Sequence, residues 1–371
     1  PAPEKNLTDG CVDNYNAETD YFPEKVTLTH ASGFMTEYFK NFKVVTVKDP
    51  YSETESAFQY VLVQCGTPIP DGYDTDLVIE VPVKSIVSLN SSYLPFLKAL
   101  NLYERLIGVD TVDWIYDPDV LQMAKDGKVL QVGFGGEVNV EQVLNLDPAL
   151  IMTGIYRQAQ FNAYPKLSEA GLNVVINTDF LESTPLGRLE WIKFMGAFFN
   201  RENAATEYFT ERIDRYNQLA NLAKDSPNKP SVLWGVPGKD RWFVPGGNSF
   251  EAAMLSDAGS KYWWDEDTET GKIPLSFESV FDVAANSDIW LIADGYPSMA
   301  EMLSADSRLS SFSAISNNQV WSNDAKINDA GGNDYWESGV VNPDVVLADF
   351  IKIFHPELLP DHELVYWRLL K

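Results

Sequence analysis

A chain of 371 residues exceeds the usual size of a single core, so two domains are expected, and no apolar run reaches bilayer-spanning length. Its 54 acidic and 28 basic residues leave a formal net charge of −26, which repels phosphate backbones and anionic lipid surfaces. Nucleic acid is therefore set aside as a partner; solubility alone also accounts for such acidity.

Residues 1–24 are polar and turn-rich and read as a tether. The opening PAPEKN shows no charged-then-apolar leader, so a signal peptide is either absent or already removed. Cys11 and Cys65 are the two cysteines. One disulfide would fit an oxidising compartment, and two buried thiols fit as well. From Lys25 the runs KVTLTHA, FKVVTVKD and FQYVLVQC are separated by turn residues, and Lys43 to Val47 and Tyr60 to Gln64 alternate as half-buried strands do. They predict a small antiparallel addition at the front of the first lobe.

Strand and helix signals then alternate: LVIEVP, IVSLN, a helix from about Tyr93 to Leu100, LIGVD, PDVLQMAKDG, KVLQVG, VNVEQVLNLDP, ALIMTG, QFNAYPKLSEAG and LNVVINT. This order predicts an α/β architecture with a mostly parallel sheet covered by helices on both faces, and ligands in such sheets bind at the carboxyl ends of strands. Thr184 and Pro185 read as the N-cap and first position of a helix carrying Leu189, Ile192, Met195 and Phe199, with Asn200 as a stop. A second helix from about Asn203 places Ala205, Tyr208, Phe209, Arg212, Tyr216, Leu219 and Ala223 on one face and pairs Glu211 with Arg215. At roughly 30 Å it is long enough to bridge two lobes; the pattern also fits a helical pair within one lobe. The alternation resumes with SVLWGV and ends in a helix from about Asn342 to Phe354. The layout is a first lobe over 25–200, a connecting helix over 201–225 and a second lobe over 226–371.

Motifs for catalysis are missing. The glycine-rich loop VGFGGE has Gly133, Gly135 and Gly136, but Val138 stands where a dinucleotide fingerprint needs its third glycine. His30, His355 and His362 are scattered in unrelated contexts, so no metal site is expected. The acidic run WWDEDTETGK lacks the spacing of a calcium loop, and no G-x-S-x-G occurs. No catalytic residue and no cofactor is assigned. What stands out are aromatic and arginine residues at strand ends and turns: Ser92 and Tyr93, Tyr156 and Arg157, Arg241 and Trp242, Tyr335 and Trp336, with Arg188 in the first turn of the central helix. Arginines can pair with carboxylate, catecholate or hydroxamate oxygens, and rings give rigid apolar walls.

The segments SIVSLNSSYLPFLKALNLYERLIGVD, VGFGGEVNVEQVLNLDPALIMTG, STPLGRLEWIKFMGAFFN and NDYWESGVVNPDVVLADFIKIFHPELLP, in that order, resemble the class III substrate-binding proteins of ABC importers for iron-siderophores, haem and cobalamin. The resemblance implies two Rossmann-like lobes joined by one long α-helix, with an extra N-terminal β segment, and a ligand held in a shallow cleft. It further implies a periplasmic or extracytoplasmic, lipoprotein-like monomer that delivers its ligand to an ABC permease of the inner membrane. The cleft residues would be Ser92, Tyr93, Tyr156, Arg157, Arg188, Arg241, Trp242, Tyr335 and Trp336. Permease docking would fall to Glu141 on the first lobe. On the second lobe the family's glutamate falls at or near Ser256, so Glu251 or Asp257 would take the role. The extended front segment, outside the minimal family pattern, carries Cys11 and Cys65 as the candidate disulfide pair. The ligand this implies is a ferric siderophore or similar metal chelate, with the hydroxamate type favoured by the negative charge of the chain and cobalamin or haem as the alternative.

Overall fold

The computed structural model describes residues 3–52, 57–75, 78–134, 137–238, 241–293 and 295–371; Gly135 and Gly136 of the glycine-rich loop lie outside them. The alternating runs at the front form a sheet in the order β1 (Phe34–Tyr38), β2 (Phe42–Lys48), β3 (Ala57–Gln64) and β4 (Val78–Val81). The first two pairings are antiparallel, but β4 runs parallel to β3, so the sheet is mixed rather than antiparallel. Parallel pairing needs a return connection of a dozen or so residues, which the stretch between Gln64 and Val78 supplies.

KVTLTHA is not a strand. The backbone amides of Thr29, His30 and Ala31 donate to the Glu190 carboxylate at 3.0, 2.7 and 2.7 Å, so they are spent on a side chain instead of a ladder. The stretch read as a tether is likewise held. Asn6 donates to Glu202 at 2.8 Å, Asn200 donates to the Leu7 carbonyl at 2.7 Å, and Cys11 is disulfide-bonded to Cys65 just after β3.

The next strands are β5 (Ile86–Ser88), β6 (Leu106–Val109), β7 (Leu130–Gln131), the hairpin β8 (Gly133–Phe134) and β9 (Glu137–Val138), β10 (Leu150–Thr153) and β11 (Val174–Ile176). Five of them form an all-parallel sheet in the order β11-β10-β5-β6-β7. Its connections carry helices α1 (Leu94–Ala99), α2 (Pro118–Lys125), α3 (Val140–Leu146) and α4 (Tyr164–Glu169). Val87 and Ile151 from the strands meet Val143 and Leu167 from the helices in one apolar cluster.

Thr184 caps α5 (Pro185–Phe198), its hydroxyl accepting from the Gly187 amide at 3.0 Å, and Asn200 turns the chain through a positive φ of 55° into α6 (Glu202–Lys224). Ala205, Phe209, Tyr216 and Ala223 form the buried stripe of α6. Glu211 and Arg215 do not pair: Glu211 takes Arg212 at 2.7 Å, and Arg215 reaches Asp344 at 3.2 Å. Chain contacts define two units, one of Pro1–Phe180, Leu189–Thr210 and Asp329–Gly332, the other of Leu181–Arg188, Glu211–Asn328 and Asn333–Lys371. The first turn of α5 thus belongs to the second unit, and α6 begins in the first unit and ends in the second.

In the second unit the elements include β12 (Ser231–Trp234), β13 (Trp242–Pro245), α7 (Phe250–Asp257), β14 (Lys261–Tyr262), β15 (Lys272–Leu275), β16 (Ile289–Ile292), β17 (Val320–Ser322) and, after the closing helix Pro343–Phe354, β18 (Arg368–Leu369). The sheet order is β14-β12-β16-β17-β18, parallel apart from β18, and β13 pairs with β15 as a separate antiparallel ribbon. Trp242, Trp290 and Phe312 lie at the centre of this unit's core.

Candidate ligand-binding site

Parallel strands deliver their last residues to one edge of the sheet, and three polar side chains collect there in the first unit. Ser88 ends β5, Asp110 follows β6 and Thr153 ends β10. All three line a cavity of about 370 Å³, together with Asn90, Ser91, Thr111 and Gln158. The apolar walls include Leu94, Ile115 and Val138, and the rings of Trp114, Tyr156 and Phe161. Trp114 and Phe161 remain 52% and 46% exposed, a large apolar surface next to a cavity.

Local geometry fixes the polar groups. Asn90 accepts from the Ser92 amide at 2.9 Å and donates to the Tyr156 hydroxyl at 3.3 Å, which links the end of β5 to the loop after β10. Tyr156 stacks on Phe180 at 5.6 Å, and its loop is closed by mutual hydrogen bonds with Asn162. Burial raises the Tyr156 phenol pKa, and the carboxylates of Asp179 and Asp110 add to the shift against the Asn90 hydrogen bond. Asp110 is only 8% exposed. Its Oδ1 lies so near Gly133 that a Cβ there would come within 2.2 Å. Glycine is what lets the carboxylate occupy that place. The described lining holds one carboxylate and no lysine or arginine, so the cavity is negative to neutral.

The residues expected from sequence fall into separate groups. Tyr156 lines the cavity, whereas Arg157 points its guanidinium over the Tyr51 ring at 5.7 Å and is not part of the lining. Ser92 and Tyr93 lie one step behind the wall. Ser92 is buried, and Tyr93 is fully buried with its hydroxyl on the Asn177 carbonyl at 3.0 Å, so the ring packs the core and offers no surface to a ligand. Trp242 is also fully buried, its indole N–H on the Trp234 carbonyl at 3.2 Å, and Arg241 beside it is exposed. In the second unit Arg188, Tyr335 and Trp336 do come together, around a hole of about 20 Å³ shared with Phe250 and Met254. Arg188 stacks over Phe250 at 4.7 Å. The hole admits little more than a water molecule. Asp110, Thr111, Trp114 and Phe161 were missed from sequence. Their signal is position, since Asp110 and Thr111 are the first polar residues after the strand LIGV.

Of the three acidic residues considered for docking, Glu141 is exposed in the first turn of α3. Glu251 is buried, which pushes its carboxyl pKa up, and Asp257 is half-buried and accepts from the Tyr216 hydroxyl at one oxygen, at 2.6 Å. The histidines serve packing and polar contacts: His355 lies against the Gly259 carbonyl at 3.2 Å and His362 against Asp349 at 2.7 Å. Among the described residues the group with metal-ligand spacing is Cys11, Cys65 and Glu80, and its sulfurs are consumed by the disulfide.

A family model described as periplasmic binding protein matches residues 86–326. An uncharacterized lipoprotein of Methanocaldococcus jannaschii is 25% identical over 370 residues, covering 96% of this chain and 84% of that protein. An uncharacterized ABC transporter substrate-binding lipoprotein of Bacillus subtilis is 25% identical over 235 residues, covering 62% of this chain and 70% of its own. The crystal structure of a possible iron-binding, periplasmic solute-binding protein from Staphylococcus epidermidis aligns with a TM-score of 0.57 at 23% identity, over 74% of this chain and 99% of that one. At that identity the structural likeness carries the fold.

Proposed function

We propose that this chain, which belongs to the periplasmic binding protein family and is an extracytoplasmic solute-binding protein of ABC transport, captures a ferric siderophore and hands it to an ABC permease. Its role is binding and delivery, with no reaction catalysed. The observation that carries the ligand class is the cavity at the carboxyl ends of β5, β6 and β10, with hydroxyl and amide groups, three aromatic rings and no cationic side chain in its described lining. A trianionic catecholate complex would meet a carboxylate there, inside a chain of net charge −26. A ferric trihydroxamate has a neutral core and an apolar backbone, and both suit such walls. The choice of an iron complex also draws on the description of the Staphylococcus epidermidis protein. Tyr156 is a wall of the proposed site, Arg188, Tyr335 and Trp336 are proposed ligand residues of the second unit taken by itself, and Glu141 is the proposed docking carboxylate. The working form is taken to be a monomer.

Cobalamin or haem is the second reading, favoured by the exposed rings of Trp114 and Phe161. Of the two, cobalamin fits better, because haem propionates call for cations that the lining lacks.

The test is a panel of ferric hydroxamates, ferric catecholates, ferric citrate, haem and cobalamin, read by tryptophan quenching and thermal shift. Ten tryptophans, with Trp114 on the cavity wall, make quenching sensitive. Saturable quenching and a raised Tm with a ferric hydroxamate are expected. A response confined to cobalamin or haem would move the function to the second reading, and a preference for the catecholates would overturn the charge argument.

A further inference from the structure

A phenol hydroxyl can accept and donate at once, so the role its neighbours take decides what it offers a ligand. For Tyr156, on the cavity wall, one role is fixed by Asn90, which lines the same cavity. Asn90 follows β5, and its backbone carbonyl accepts from the Ser88 hydroxyl at 2.9 Å. Its Oδ1 accepts from the Ser92 amide at 2.9 Å; a backbone N–H can only donate, so this contact sets which end of the Asn90 side chain is which. The NH2 group therefore faces the Tyr156 hydroxyl and donates to it at 3.3 Å. The phenol oxygen is the acceptor, and its own proton has no acceptor among the described residues. Further contacts hold the ring in place. It stacks on Phe180 at 5.6 Å, and Asn162 closes its loop by mutual hydrogen bonds with the Tyr156 backbone. The ring end lies over Gly154, where a Cβ would come within 2.9 Å of the hydroxyl oxygen. Burial raises the phenol pKa, and Asp179 and Asp110 add to the shift against the Asn90 hydrogen bond, so the hydroxyl keeps its proton.

We propose that Tyr156 donates a hydrogen bond to an acceptor oxygen on the bound chelate, and that Asn90 is the positioning residue that leaves the phenol proton to the cavity. This rests on the siderophore reading and sharpens it. The ligand presents a hydroxamate or amide oxygen to the first unit, and the phenol meets that oxygen rather than the metal. Entering the coordination sphere of the iron would take a phenolate, and a covered site flanked by carboxylates disfavours that form. A ligand offering only N–H or O–H groups at this wall would leave the phenol proton unpaired on binding, which costs affinity.

Asn90→Asp is the discriminating variant, because it keeps an oxygen for the Ser92 amide but replaces the donor with a second acceptor. The phenol would then donate to the new carboxylate, and its proton would be lost to the ligand. Binding of a ferric trihydroxamate is measured by tryptophan quenching and by the visible spectrum of the complex. The proteins compared are the wild type, Tyr156→Phe, Asn90→Asp and the double variant. Tyr156→Phe, which keeps the ring and its stack, is expected to weaken binding about three- to tenfold. Asn90→Asp should weaken it at least as much. In the Tyr156→Phe background the same change should cost clearly less, since the proton it diverts is already gone. Unchanged affinity in Tyr156→Phe would overturn the donor, and an equal cost of Asn90→Asp in both backgrounds would overturn the positioning role. A new charge-transfer band on binding that is absent in Tyr156→Phe would place a phenolate on the iron and overturn the proposal as well. Failure of the wild type to bind the trihydroxamate at all would overturn the hydroxamate reading, and this inference with it.

Discussion

Lys43 is completely buried on β2, and its ammonium contacts the Glu202 carboxylate and donates to Asn200 at 2.9 Å. Asn6 from the front arm donates to the other Glu202 oxygen at 2.8 Å, and the Tyr38 hydroxyl donates to the first at 3.5 Å. Removing one partner of a buried pair strands the other, so Lys43→Met should cost about 3–5 kcal/mol in urea unfolding, and a Lys43→Met, Glu202→Leu double variant should recover much of it. A loss below about 1 kcal/mol for the single variant would show that the pair is structurally neutral. A comparable contrast runs through the candidate site. Arginines and tyrosines attract notice in a sequence because of what they can recognise, yet Tyr93 and Trp242 turn out to be core residues with their polar atoms committed to backbone carbonyls. A lone aspartate after LIGV looks like an ordinary strand end. Only the convergence of β5, β6 and β10 gives Asp110 its setting, and that convergence is a property of the sheet.

Elements whose pattern is closed within a few residues were legible. Strands β2 and β3 stand where their valine-rich runs placed them, although Tyr60 to Gln64 is buried throughout and Lys43 to Val47 nearly so rather than half-buried in alternation; the Thr184 cap starts α5 at Pro185, and the closing helix begins within a residue of its expected start. Elements decided by distant partners were not. KVTLTHA has the composition of a strand, but its amides are claimed by Glu190, far along the chain on α5. Burial alone would raise the pKa of that carboxyl; the Lys193 ammonium at 2.7 Å and the amides of Ala31 and His30 more than offset it and hold the group below the usual glutamate range. Glu190→Gln replaces a charged acceptor of several donors with a neutral one that can accept at a single oxygen. The amides of residues 29–31 should then exchange with deuterium at least about tenfold faster than in the wild type, with α6 little changed. Unaltered protection at these amides would mean that the loop is held by something other than Glu190.

At the scale of the whole molecule, charge sets how stability depends on pH. Burial pushes the carboxyls of Glu251, Asp257, Asp344 and Asp349 above the ordinary range, although Lys272, Tyr216, the arginines 215 and 212, and the Tyr366 amide with His362 each oppose it. A carboxyl with a raised native pKa binds its proton more tightly folded than unfolded, so native stability grows as pH falls from neutrality towards the unfolded value of about 4. The net charge of −26 acts in the same direction, because protonation relieves self-repulsion. Glu190 has the opposite sign. Its depressed pKa contributes stability that is complete above about pH 4.3 and is lost as pH drops through the folded value. The Tm measured by calorimetry at constant ionic strength is therefore expected to climb from pH 7 towards pH 5 and to fall again below about pH 4. Added salt should raise Tm more at pH 7 than at pH 5, since it screens the repulsion that acidification has already reduced. A Tm that declines steadily from pH 7 to 5, or one indifferent to salt at pH 7, would show that the raised carboxyls and the surface charge do not govern the folded state.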